Sequence, residues 1–350
     1  MSASPSSLTV LTQSAECRAA WKGTHTTWTN PSPFLHPVFQ DGLERIVTWK
    51  RLVLTTPGDA LLSTFVRSRG LVRDLVLPPF QPFSAIGPVA DPLDLIRRLR
   101  SSPDLPSDWI LSITPEQYAA LHPKTMGRGI RVVERYTYHL SSGPFEVAIA
   151  SWSAAQRRQV RKSVSDFVFW CSHDLARTAG SEAKKLDEVI QRAVFLADSA
   201  YRRAGRRLPL PPRALARWAR DLVYAGLARV YGLHDRHTGE IVAAIVALHD
   251  ERTAWYWIAG SKPGPGMTVL MAHVQDELHA AGIATLDLMG ANTPGIAEFK
   301  RRFGGQHVTY AHVSSRSLIG GLTNSMAHFL TRLTQSRTTQ RISEQRSEAD

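Results

Sequence analysis

A chain of 350 residues with 43% hydrophobic and 21% charged residues holds enough apolar material for two cores and is neither disordered nor fibrous in composition. No run approaches the roughly 18 to 20 apolar residues of a membrane helix, and the start MSASPSSLTVLTQSAECRAAW lacks a basic segment followed by an apolar one, so the expectation is a cytoplasmic protein with no membrane span. Two cysteines, Cys17 and Cys171, argue against a disulfide framework or a thiolate metal site, while a net charge of +12 favours polyanionic or phosphorylated partners.

The first half reads as short strands separated by turns. ERIVTWKRLVLTTPGDALLSTFVRS (44–68) holds two β-rich runs around Thr-Pro-Gly-Asp, and LVRDLVLPPF adds a third extended stretch. DPLDLIRRLRSS (91–102) places acid at its start and base at its end, as a helix dipole prefers. DWILSIT and IRVVERYTYHLS then resume the strand pattern. The mixture makes this half α/β or α+β.

The second half is more regular. SAAQRRQVRKSVSDF (153–167) predicts a helix with Ser153 at its N-cap, followed by helices over 181–205 and 213–227 that LPLPP separates. ARVYGLHD, EIVAAIVALHD and RTAWYWIAG follow, joined by tight turns, and predict an antiparallel meander. GMTVLMAHVQDELHAAG (266–282) is a helix stopped by Gly282, IATLDLMG (283–290) is a buried strand, and HVTYAHV (307–313) is a final strand. One amphipathic helix and a disordered tail are expected after residue 317.

Familiar catalytic signatures are missing: there is no GxxxxGK[ST]-type phosphate loop, no GxSxG elbow, no HExxH and no paired CxxC. Thirteen histidines do not make a metal site, because His273 and His279 cannot share a helix face and His234 and His237 flank a turn. No metal is expected. The stretch GANTPGIAEFKRRFGG (290–305) instead concentrates glycines, a turn proline and a Phe-Lys-Arg-Arg cluster.

Helices, meander, helix, strand, helix and strand is the order of the Gcn-five-related N-acyltransferase (GNAT) fold, in which two central strands splay apart. AWYWIAGS, a helix, and then AAGIATLDLMGANTPGIAEFKRRFGG resemble the C-terminal half of the Fem-type aminoacyl transferases and their FemAB-like relatives. Phe299, Lys300, Phe303 and Gly304 form the most specific element of the resemblance, and PFLHPVF (33–39) and LPPFQPFSAIGPV (77–89) look like the first domain of that family. The resemblance implies an α/β (α+β) chain of two tandem GNAT-like domains, with mixed central sheets flanked by helices. Their expected bounds are 1–150 and 151–316, with 317–350 as the C-terminal helix and tail.

The implied reaction is attack by an amine on an activated ester. In Fem enzymes the corresponding lysine lies beside that ester, so Lys300 is expected to stabilise the developing oxyanion or the departing ribose hydroxyl. Phe299 would stack on a terminal adenine, and the cleft would be lined by Trp255, Trp257, Gly290 and Asn292. Lys300 on a short helix above the buried pair Phe299 and Phe303 is the structural alternative. Asp287 and Glu298 are the candidate proton acceptors, beside substrate-assisted transfer.

Two donors fit this chemistry. Acetyl-CoA enzymes of the fold hold pyrophosphate on a loop of the form Arg/Gln-x-x-Gly-x-Gly/Ala, whereas GSKPGPGMT (260–268) departs from that spacing, and Pro263 and Pro265 lack the N–H a phosphate would use. Aminoacyl-tRNA needs dispersed positive charge, which Arg157, Arg158, Arg161 and Lys162 offer as a helical strip that Arg301 and Arg302 extend. The leading expectation is aminoacyl transfer from tRNA, as co-substrate rather than bound cofactor, to the amine of a peptide, a peptidoglycan precursor or a small biosynthetic amine. An acyl-CoA-dependent N-acetyltransferase and a non-catalytic GNAT-fold binding protein are the alternatives.

Overall fold

The computed structural model describes residues 8–29, 31–57, 59–69, 72–87, 91–121, 129–172 and 181–316. The helix and tail expected after residue 317 lie outside the described residues. The strands are Thr9–Leu11 (β1), Lys50–Thr56 (β2), Asp59–Arg69 (β3), Val72–Val76 (β4), Ala85–Ile86 (β5), Asp108–Ile113 (β6), Ile130–Ser141 (β7), Phe167–Cys171 (β8), Ala228–Asp235 (β9), Ile241–His249 (β10), Thr253–Ser261 (β11), Thr285–Asp287 (β12) and Gln306–Ser315 (β13). The helices are Ser14–His25 (α1), Pro37–Ile46 (α2), Pro92–Ser101 (α3), Pro115–Ala119 (α4), Phe145–Ala150 (α5), Ala154–Ser163 (α6), Ser181–Arg203 (α7), Pro212–Tyr224 (α8), Gly266–Ala280 (α9) and Pro294–Arg301 (α10).

Local signals placed most of these elements. Asp91 caps α3 by accepting from the N–H groups of Leu93 and Asp94 at 3.1 and 3.3 Å, and the Ser153 hydroxyl accepts from Gln156 at the start of α6. The expected meander is present, with β9, β10 and β11 paired antiparallel. Four helices of the first half, α1, α2, α4 and α5, were not expected. In α1 the run SAECRAAWKGTH offers few apolar residues, yet Cys17 and Trp21 are fully buried. The core supplied by Val53, Ala60 and Ala85 selects a helix that periodicity alone does not.

All strands join one mixed sheet in the order β1-β2-β3-β4-β6-β13-β7-β12-β11-β10-β9-β8, with β5 added on β3. Strand β7 from the first half pairs antiparallel with β12, and β13 from the second half lies between β6 and β7. Each half therefore lends a strand to the other, and the sheet is continuous across residue 150.

Helices cover both faces. Trp255, Trp257, Val246 and Leu248 point to the face packed by α2, α7 and α8, where Phe39 and Trp218 complete the core. Ala254, Ile245, Tyr138 and Leu286 point to the opposite face, under α9 with Trp152 and Phe303. Ala311 and Val313 of β13 continue that second face against Leu95 and Leu99 of α3.

Close approach of α7 to β11 depends on one glycine. A Cβ on Gly260 would lie 2.3 Å from the Leu196 carbonyl carbon and 2.4 Å from the Ala197 nitrogen, both backbone atoms. Gly260→Ala is expected to destabilise the protein by about 3 kcal/mol in urea unfolding. Gly23→Ala in α1, where nothing lies within 4 Å, should stabilise it by about 0.5 to 1 kcal/mol. Equal midpoints for the two variants would contradict this packing.

Candidate active site

Strands β11 and β12 run parallel over only three pairs, Thr253–Thr285, Ala254–Leu286 and Trp255–Asp287. Beyond them β11 continues to Ser261 against β10, whereas the chain after Asp287 turns onto β7. There Leu288 N–H donates to the Tyr138 carbonyl and Ala291 N–H to the Tyr136 carbonyl, both at 2.9 Å. A register shift at Val246/Ala247 leaves Trp257 as the extra residue of a bulge in β11. The result is a wedge-shaped opening between β11 and residues 288–290, at the place expected for the splayed strands.

Lys300 enters this wedge from α10. Its ammonium donates to the carbonyls of Leu288, of Met289 at 3.1 Å and of Gly290 at 2.9 Å, and stands 5.9 Å from the Tyr256 ring. Those three bonds use all the donors an ammonium has. The side chain is buried, and burial pushes its pKa down to about 8 against the opposing charge of Asp287. The partners are thus backbone carbonyls of the loop, a set the sequence did not indicate, while the charge itself lies in the wedge. Phe299 meets Phe303 edge-on at 5.0 Å, and Phe303 meets Trp152 in the same way at 4.8 Å.

The other face of the loop carries a polar chain. One Asp287 oxygen accepts from the Thr137 hydroxyl and from Met289 N–H at 2.6 Å, and the other lies 3.4 Å from His139 Nε2. Thr137 and His139 sit two apart on β7, so the pleat puts them on one face with the neighbouring Asp287. Asn292 accepts from Tyr136 N–H at 3.2 Å and donates to the Tyr310 hydroxyl at 3.3 Å. Sequence reading missed Thr137, His139 and Tyr310. The alternation in RYTYH was a legible signal that one strand face is polar, but its neighbours on β12 and β13 were not.

Backbone strain collects here as well. Among the described non-glycine residues, positive φ occurs at Phe80 (63°) and Met289 (59°). Met289 is held by Asp287, and the Phe80 carbonyl accepts from Trp257 Nε1 at 2.8 Å. Such positions cost roughly 1 to 3 kcal/mol each and cluster at functional sites. The left-handed residue of the loop is therefore Met289, not Gly290, where a Cβ would meet only ordinary contacts at 3.4 and 3.6 Å.

The remaining candidates separate into groups. Trp255 and Trp257 are buried in the floor of this face, with Phe34 5.4 Å from Trp255. Glu298 is bound by Arg301 and Arg302, which hold its carboxyl at about 2, so it is a poor proton acceptor near neutrality and that expectation is corrected. Arg301 and Arg302 are half-exposed at the end of α10, and Ser153 N–H donates to the Arg302 carbonyl at 2.8 Å, which joins this end to the start of α6. On α6, Arg158, Arg161 and Lys162 are exposed; Arg161 pairs with Glu146, and Arg157 turns back onto the carbonyls of Ala150 and Trp152. Cys171 is buried, and burial pushes its thiol up to about 12, far from a nucleophilic thiolate. At the start of α9, Pro265 is the N-cap and Gly266, Met267 and Thr268 are buried, while Lys262, Pro263 and Gly264 before it are exposed.

Lys300→Met removes three hydrogen bonds and leaves loop carbonyls without partners, so a loss of about 2 kcal/mol in denaturant unfolding is expected. The pH dependence has a defined sign. Because the folded pKa of about 8 lies below the ordinary lysine value of 10.5, the unfolded chain holds more protons between them, and Lys300 makes stability rise with pH across that window. That increment should disappear in Lys300→Met, and its persistence would remove Lys300 as the source.

Residues 154–301 match the family model described as Acetyltransferase (GNAT) domain. No curated protein matches the chain in sequence. Solved structures share its fold across most of both chains. The C-terminal DUF2156 domain of a protein assigned as a lysylphosphatidylglycerol synthetase from Agrobacterium fabrum is 14% identical, covers 90% of this chain and 97% of its own, and superposes with a TM-score of 0.57. FemX is 10% identical with coverages of 87% and 96% and a TM-score of 0.54. L-PGS from Bacillus licheniformis is 12% identical with coverages of 84% and 91% and a TM-score of 0.52. Residues 154–301 thus match the acetyltransferase (GNAT) domain model, and the chain as a whole shares the fold of FemX and of the DUF2156 domain.

Proposed function

We propose that this protein transfers an aminoacyl group from aminoacyl-tRNA to the amine of a soluble acceptor such as a peptide, a peptidoglycan precursor or a small biosynthetic amine. The observation that carries this reading is the Ser153–Arg302 bond, which joins the start of α6, whose exposed Arg158, Arg161 and Lys162 follow along the helix, to the end of α10, which bears Arg301 and Arg302 next to Lys300. Such a strip suits an RNA backbone. Pro263 and Pro265, before α9, lack the N–H groups that a coenzyme pyrophosphate would use.

In the proposed reaction the acceptor nitrogen attacks the ester carbonyl at the wedge, a C–N bond forms, and the bond to the ribose oxygen breaks. The Lys300 charge favours the oxyanion of the tetrahedral intermediate. His139, oriented by Asp287 as Asp287 is by Thr137, takes the proton that the amine loses, and the ribose oxygen leaves protonated.

The test supplies purified protein with candidate amines and either charged tRNA or acetyl-CoA, and follows product by mass with and without RNase. Product from charged tRNA that RNase abolishes is expected; product from acetyl-CoA alone that survives RNase would establish the N-acetyltransferase alternative, and no product with either donor would favour the binding-protein one. Arg158→Glu with Lys162→Glu should raise the KM for charged tRNA at least tenfold and flatten its salt dependence, with kcat little changed. His139→Gln should lower kcat by about 10²-fold or more, and an unchanged rate would remove His139 from proton transfer.

A further inference from the structure

On β7, two residues before Thr137, Arg135 occupies the same sheet face as Thr137 and His139 and stands opposite Tyr310 of β13. Its Nε is buried with no hydrogen-bond partner, and among the described residues no carboxylate lies within ion-pair distance of its guanidinium. An uncompensated, partly buried cation is costly, and natural proteins rarely keep one without a use. The Tyr310 hydroxyl accepts from Asn292, which leaves its own proton free to donate. His312, next along the same face of β13, is pushed down to about 4 by burial and by Arg135 and is therefore uncharged at neutral pH.

Arg135 and Asp287 both act on the Tyr310 hydroxyl, from opposite sides in charge. On β7, Arg135 precedes Thr137 by two residues and His139 by four on the same sheet face, while the Lys300 ammonium enters from α10.

We propose that Arg135, with the Tyr310 hydroxyl, forms an anion subsite that selects an acceptor carrying a carboxylate or a phosphate in addition to its reacting amine. This deepens the transfer reading above and rests on it for the word acceptor, but the anion site stands on geometry alone. An arginine fork and a phenolic donor match the oxygens of either anion. The amine end of the same molecule then lies toward Asp287 and His139, two to four strand residues along β7, roughly 7 to 14 Å from the Arg135 Cα.

The first arm of the test needs no donor. Thermal unfolding and calorimetric titration of the full chain with inorganic phosphate and with succinate, at constant ionic strength, should show saturable binding that Arg135→Gln weakens by about tenfold or more, while Arg97→Gln on the exposed side of α3 leaves it unchanged. Without anion, Arg135→Gln should unfold at the same temperature as the parent or higher, because an unpaired cation is removed. A large drop in that temperature, or binding equally weakened by Arg97→Gln, would overturn the proposal. The second arm offers butylamine, 4-aminobutyrate and 3-aminopropyl phosphate with charged tRNA. Arg135→Gln should raise KM for whichever anionic amine is used and leave butylamine unaffected, and the preferred amine tells carboxylate from phosphate. Product from no amine alongside intact Arg135-dependent anion binding would discard the transferase reading and retain the site; equal use of butylamine and the anionic amines would discard the site and retain the transferase.

Discussion

Everything in the site depends on where β13 pairs. Insertion of Gln306–Ser315 between β6 and β7 satisfies both edges of that strand, turns two part-sheets into one, and sets Tyr310 opposite Arg135. Without it, β7 would present an open edge across from β12, and an unpaired edge is a liability for any soluble sheet. The same insertion forces the preceding chain to double back under the sheet, which is what brings α10 and Lys300 beneath residues 288–290.

The loop after β12 is held from both faces. Asp287 fixes Met289 through its N–H, and Lys300 grips the carbonyls of Leu288, Met289 and Gly290. Opposite charges acting on the two poles of the same peptides offset the left-handed backbone at Met289. Pairing of β11 with β12 ends there, so the splay of the two strands, the strained residue and the buried ammonium have a single physical origin. The strain at Phe80 has a similar support, since its carbonyl is anchored by the bulged Trp257.

Charge is distributed unevenly around the opening. The end of α10 meets the start of α6 on the side of the sheet covered by α9, where Glu298 pairs with Arg301 and Arg302, Glu146 pairs with Arg161, and Arg158 and Lys162 stay exposed. The opposite side holds a carboxylate, an imidazole and one arginine without a counter-ion among aromatic rings. In the proposed reaction, a donor with a long anionic backbone and a small acceptor would approach the wedge from different faces.

Local chemistry was legible from the amino-acid sequence. Ser153 and Asp91 announced their helices, alternation announced the meander, and Phe299-Lys300 with Phe303-Gly304 carried the resemblance to Fem-type enzymes, because caps, pleats and short motifs are encoded within a few residues. Helix α1 escaped, since its buried Cys17 and Trp21 count only against Val53 and Ala60 of distant strands. The sequence also determined that Glu298 would stand three and four residues from two arginines, although their effect on its proton affinity became clear only with the contacts in place. What tertiary structure alone decided was register between strands far apart in the chain: Asp287 beside His139, Arg135 beside Tyr310, and the Lys300 ammonium under three carbonyls. Those juxtapositions depend on non-local pairing, in which a shift of one residue turns every side chain to the other face, and no periodicity within a segment specifies its partner.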